Sequence, residues 1–210
     1  MNKSTVIYNP YKNLVKIADV NKSAITSLLI IIVGVISGAL LYSIRGESLT
    51  GELLESFLGF ATDFSHKSKP EIISGLLLPD IIYFIVMIIL GTCAFGTPAV
   101  ILISAVYSMG LSLTVAYIYD SFALQGIEYC LMIFLPGKFM LILAMLLLTQ
   151  NCVVTSNGIR LAIYGKSLND RVVDLKKYSI RNLVIFIIIM LSGLIDFLTL
   201  TSFSSLFEFG

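Results

Sequence analysis

Lys138 and Asp196 are the two residues in this chain whose positions demand chemistry. Each stands inside a long apolar run. A charge at the centre of a hydrocarbon layer costs about 2.5 to 3.5 kcal/mol on insertion scales, so such residues face protein or water, pair with one another, or mark a route for ions or protons. With a last span starting at Asn182, Asp196 lies about 21 Å in, or about 9 Å from the outer surface of a core about 30 Å thick. Lys138, approached from the outside, lies about 14 Å deep by the same helical rise. The depths differ by about 5 Å, within reach of a lysine side chain. A structural ion pair is the preferred reading because it satisfies both groups without any pathway, and a transport or proton-relay site is the alternative.

No other residue set suggests an active site. His66 is the single histidine and lies in a polar segment without a second imidazole or a cysteine nearby, which disfavours a metal site there. Cys93, Cys130 and Cys152 are scattered singly among apolar residues, as packing residues rather than a disulfide or zinc framework. There is no phosphate-binding loop, zinc-protease helix, nucleophile elbow or basic-aromatic stripe for nucleic acid. No catalytic residue, cofactor or metal is expected, and no nucleic-acid partner.

The elements that carry Lys138 and Asp196 follow from the apolar runs. Of 210 residues, 57% are hydrophobic and 13% charged, and the mean hydropathy is +0.95. These values place the chain in the membrane class. From Ile81 to Tyr119 there is no Asp, Glu, Lys, Arg or His. One helix of that length would run roughly 58 Å, about twice the hydrocarbon thickness, so the stretch crosses twice. The expected fold is an all-α, polytopic integral membrane helical bundle: a single transmembrane domain over residues 1–210 with about five transmembrane helices and additional interfacial amphipathic helices. The spans are placed at about 24–44, 76–95, 99–119, 129–149 and 182–201, with an outer loop at 45–75 and a cytoplasmic loop at 150–181. Pro79 then falls in the first turn of the second span, where its missing N–H breaks no helical bond.

Breaks and small residues refine this picture. Gly96-Thr97-Pro98 is read as the tight reversal between spans two and three. A polar connection, Asp120 to Glu128, separates spans three and four. Pro136-Gly137-Lys138 interrupts the fourth run, where proline removes a helical hydrogen bond, so a kink or two half-helices are expected. Gly34 and Gly38 form a G-x-x-x-G motif that admits close approach of another helix, with packing inside the protein preferred over a homo-oligomer. Ser104, Ser108 and Ser112 recur every four residues and suit helix-to-helix contact.

Two polar segments flank the spans. Residues 1–23 hold Lys3, Lys12, Lys16 and Lys22, with Tyr11, Leu14, Val15 and Ala18 at helical spacing, as in a short amphipathic helix on the lipid bilayer. In the outer segment, Leu53, Leu54, Phe57, Leu58, Ala61 and Phe64 also recur at helical spacing, so an interfacial helix is expected. Capping of the bundle is its preferred role, and a partner-docking surface centred on Leu53, Phe57 and Phe64 is the alternative. Within 150–181 the fourth helix extends and a short amphipathic helix follows, with Ser167-x-x-Asp170 as a capping signal. Lys and Arg number ten in the N-terminal and 150–181 segments against three in 45–80. That imbalance places the N-terminus in the cytoplasm and the C-terminus outside a bacterial cell membrane.

From about Phe57 to Leu161 and through the final span, the chain resembles the stage II sporulation protein M family of integral membrane proteins. The resemblance rests on an outer amphipathic helix before the second span, the break Leu90-Gly91 to Gly96-Thr97-Pro98, Gly110, Leu135-Pro136 after an aliphatic run, and Asp196 in the last span. Many members have His-Gly after the proline and an acid a turn later, where this chain has Gly137-Lys138 and apolar residues. The resemblance implies a non-enzymatic scaffold that holds partner membrane complexes, such as peptidoglycan hydrolases during sporulation engulfment. Relatives resemble proteins of circular-bacteriocin clusters, which implies bacteriocin export or processing proteins as the other partner class and maturation, export or immunity as the other role. A small secondary transporter is a further alternative; it needs Pro136, Lys138 and Asp196 around a watery cavity, and no inverted repeat is visible.

Overall fold

The structure, a computed structural model, describes residues 10–49, 69–164 and 175–203. These residues are helical almost throughout, with no strand among them, and five helices are long and apolar enough to cross a membrane. The protein is an all-α helical bundle. Helix α1 spans Pro10–Leu49, α2 Lys69–Gly91, α3 Gly96–Tyr129, α4 Leu135–Ile163 and α5 Leu175–Phe203. A π-helical turn, Cys130–Phe134, joins α3 to α4.

Several boundaries differ from expectation, each for a local reason. The lysine-bearing stretch from residue 10 is continuous with the first span rather than a separate interfacial helix. Nothing between Pro10 and Gly34 interrupts it: no glycine or proline occurs there, and Pro10 takes the first helical position, where its missing N–H is not needed. Helix α2 begins at Lys69, not at residue 76, so Pro79 lies well inside it rather than in its first turn. The reversal between α2 and α3 falls at 92–95, ahead of the expected Gly96-Thr97-Pro98, and those three residues open α3. The Cys93 N–H donates to the Leu90 carbonyl at 3.1 Å and the Gly96 N–H to the Cys93 carbonyl at 3.1 Å. Gly96 is needed because a Cβ there would strike the Leu90 carbonyl, and Pro98 is harmless in a first turn.

The expected loop at 120–128 is helical instead. Thr97 nevertheless meets Ser156 and Ser104 meets Thr149, so the chain doubles back between the span ending at Asp120 and the one starting at Gly126. Helix α4 runs on past residue 149 to Ile163, and α5 starts earlier than residue 182, taking up Lys176, Lys177 and Arg181. The Ser167–Asp170 capping signal lies outside the described residues.

Packing arranges the helices as an up-and-down membrane bundle requires. Gly34 lies against Ala105 and Ser108, Gly38 against Met109 and Ser112, and the Tyr42 hydroxyl donates to Asp120 Oδ2 at 2.9 Å. These pairs advance together, so the first and third spans run parallel, as odd-numbered spans must. The main apolar core joins Met87 of α2, Val100 of α3, Leu141, Met145 and Leu148 of α4 and Ile189 of α5. A smaller one gathers Ile72, Ile118, Tyr129, Ile133 and Leu200 at the other end. Cys152 is fully buried and free, as a packing residue; its thiol donates to the Met87 carbonyl at 3.2 Å.

Candidate functional site

The break before α4 is built from the backbone outward. Pro136 cannot donate to the residue four back, and the chain responds by widening the preceding turn: the Leu135 N–H donates to the Cys130 carbonyl, five residues away. Polar groups spaced along one face of α5 meet this segment. Ser192 donates to the Gly137 carbonyl at 2.7 Å, and Thr199 donates to the Ile133 carbonyl at 3.1 Å. Between them stands Asp196, whose Oδ2 lies 3.0 Å from Lys138 Nζ. Gly137 makes the approach possible, since a Cβ there would collide with the Asp196 carboxylate and come within 3.0 Å of the Ser192 carbonyl oxygen. The structure therefore brings Lys138 and Asp196 together across α4 and α5, with both side chains largely buried at 14% and 7% exposure. The ammonium also sits 5.8 Å from the centre of the Phe134 ring, a second favourable contact for a cation in a dry place.

A third charged residue belongs to the same site. Asp80 is at the middle of the α2 span Pro70–Gly91, roughly 15 Å from either end by helical rise. It is only 2% exposed. Tyr107 of α3 donates its hydroxyl to Asp80 Oδ1, while Asp80 Oδ2 and Asp196 Oδ1 are buried without a hydrogen-bond donor. Lys138 attracts Asp80 electrostatically as well as Asp196, and the two carboxylates repel each other. Four helices thus contribute: Asp80 from α2, Tyr107 from α3, Lys138 from α4 and Asp196 from α5.

Hydroxyl groups continue from this cluster through the bundle. The Tyr83 and Tyr107 rings touch with centroids 4.4 Å apart. Tyr83 shares a hydrogen bond with Ser104 at 3.3 Å, and Ser104 shares one with Thr149 at 2.8 Å. Nearer the α2–α3 turn, Thr97 donates to Ser156 at 3.1 Å and Ser156 to the Cys93 carbonyl at 2.8 Å. Asn151 and Asn182 join α4 to α5 at 2.7 Å.

The other sequence candidates fall as follows. Gly34 and Gly38 face the serine stripe, meeting Ser108 and Ser112, so two features read separately form one interface. Ser104 instead faces α2 and α4, and both Ser104 and Ser108 also bond back to their own helix, at 2.8 Å to Val100 and 2.9 Å to Ser104. Gly96 and Pro98 start α3, and Pro136 and Gly137 start α4. Leu53, Phe57, Phe64 and His66 lie outside the described residues. Asp80, Tyr107, Ser192 and Thr199 were not singled out by sequence. Asp80 falls four residues inside the span expected at 76–95, but by composition it groups with the polar residues of 45–80. For Ser192 and Thr199 the available signal was their register with Asp196 on one helical face.

A cavity of about 480 Å³ beside the α2–α3 turn, lined by Phe95, Arg160, Leu161 and Tyr164, is remote from these charges and holds one cation and no acid. Among the described residues, no group of three or more His, Cys, Asp or Glu is placed to hold a metal ion. No family model, curated protein or solved structure matches the chain.

Proposed function

We propose that this chain is a non-enzymatic multi-pass membrane scaffold that anchors a partner complex, in the manner implied by its resemblance to stage II sporulation protein M. The observation that carries this reading is the closure of the α4 break from within. Ser192, Asp196 and Thr199 of α5 all engage the Ile133–Lys138 segment, so the discontinuity fastens two helices together. A fastened bundle presents fixed outer surfaces, which is what an anchor needs. The partners are peptidoglycan hydrolases if the role is sporulation engulfment, or export and processing proteins if it is circular-bacteriocin maturation or immunity. In this reading the N-terminus is cytoplasmic and the docking surface is the outer segment around Phe57.

Affinity purification of the tagged chain from its native membranes tests this. Wild type should bring down hydrolases or bacteriocin-processing proteins, and the class recovered decides between the two settings. Phe57→Asp should lose them while accumulating normally in the membrane. Identical recoveries from both proteins, or none from wild type, would contradict the scaffold. Single cysteines at Ser65 and Ser167 in a cysteine-free background test orientation: on intact cells an impermeant maleimide should label the first and spare the second.

A second reading, a small proton-coupled transporter, is favoured by one observation. Asp80 adds a buried carboxylate that the Lys138–Asp196 pair does not need.

A further inference from the structure

The buried cluster is one positive charge short. It contains two carboxylates, Asp80 and Asp196, and one ammonium, Lys138, and the tyrosine that reaches it is a neutral donor. The ammonium is committed to Asp196 at 3.0 Å. Asp80 is left with the Tyr107 hydroxyl on Oδ1 and nothing on Oδ2, at 2% exposure in the middle of a span. A buried carboxylate without a cation of its own, held by a single neutral donor, is poorly compensated for its loss of water, and the usual outcome is that it takes up a proton.

We propose that the cluster is a proton-binding site in which one exchangeable proton resides on Asp80 Oδ2. The groups facing Asp80 are Tyr107 on α3, Lys138 on α4 and Asp196 on α5, with Tyr83 of its own helix stacked against the Tyr107 ring. With the proton bound, Asp80 is a neutral acid that accepts from Tyr107 through Oδ1, and Lys138 belongs wholly to Asp196. Release is Asp80–COOH giving Asp80–COO⁻ and H⁺, with no redox partner required. The new carboxylate then competes with Asp196 for the single ammonium, so proton occupancy sets which helix, α2 or α5, holds Lys138. A metal cation is the poorer occupant because the cationic position is already filled by Lys138, and no metal-holding group of acids occurs among the described residues. The proposal does not depend on the scaffold reading; an anchor and a transporter would both carry this proton.

Infrared spectroscopy of the purified full-length chain in an ester-free detergent at neutral pH reads the protonation state directly, through the C=O stretch of a neutral carboxylic acid. Wild type should show one such group per chain, shifted by transfer to deuterium oxide. Asp80→Asn should abolish the band, and Lys138→Met should double it, since the cluster then needs two protons. Absence of the band from wild type, its failure to shift in deuterium oxide, or its persistence in Asp80→Asn would overturn the proposal. If Lys138→Met does not fold, wild type and the near-isosteric Asp80→Asn still decide the matter.

Discussion

Two helix contacts in this bundle use glycine in the same way and fill the space it leaves differently. At the α1–α3 contact, Gly34 and Gly38 admit the serine side chains and backbone of α3, and no charge meets the glycines. At the α4–α5 contact, Gly137 admits a carboxylate that reaches a lysine. In lipid, small residues bring helices together by close packing, and each added polar bond is worth only about 0.6 kcal/mol on average. A buried ion pair adds little net stability when intact, but removing one partner costs about 3 to 5 kcal/mol because a bare charge stays behind. The first contact therefore tolerates partial damage, whereas the second fails abruptly and is bound to the protonation state of its neighbours.

Substitutions should separate the two regimes, and the largest effect belongs to the charged contact. Lys138→Met leaves the Asp196 carboxylate without its cation and should cost about 3 to 5 kcal/mol in detergent unfolding. Asp196→Leu should cost less, since Lys138 can turn toward Asp80; equal losses would mean that Asp80 is out of reach. At the packed contact, Gly34→Leu should cost about 1 to 3 kcal/mol by overpacking. Adding Ser108→Ala should rescue it poorly, because the Ala105 carbonyl in the way is backbone. Full rescue would show that the interface adapts more freely than close packing implies. Ser192→Ala removes one interhelical hydrogen bond and should cost about 0.6 kcal/mol, measured the same way. An effect of similar size and opposite sign is expected at Gly110, where an added Cβ meets nothing within 4 Å. Gly110→Ala should stabilise by up to about 1 kcal/mol, and a loss would reveal a neighbour on that face.

The two contacts also differ in how far they could be read from sequence. Gly34, Gly38, Ser108 and Ser112 declare themselves by spacing alone, because a close helix contact needs small residues on the matching face of each partner. Five spans were legible for a similar reason: uncharged runs of that length have no place in a soluble fold. Lys138 and Asp196 were legible as a pair from depth alone, as both lie in apolar runs that fix their height. Asp80 was not, because it stands only four residues into the span expected at 76–95, beside Pro79, and reads as the tail of the polar segment before it rather than as an acid at depth. Helix α2 starts a full two turns before the apolar run that marks it, which carries Asp80 to mid-membrane. The π turn before Pro136 and the helical connection through 121–129 were hidden too, since both depend on how α5 and α4 pack back rather than on local composition.

The central claim is that Lys138 and Asp196 form one interaction that fastens α4 to α5 inside the membrane. A double-mutant cycle on Lys138→Met and Asp196→Leu, read as unfolding free energy of the purified protein in detergent, tests it most directly. The double variant should be more stable than the sum of the single losses predicts, with a coupling of about 1 to 3 kcal/mol, because removing both charges also removes the stranded one. Strictly additive losses would contradict the claim and mean that the two residues do not act as a pair in the folded protein.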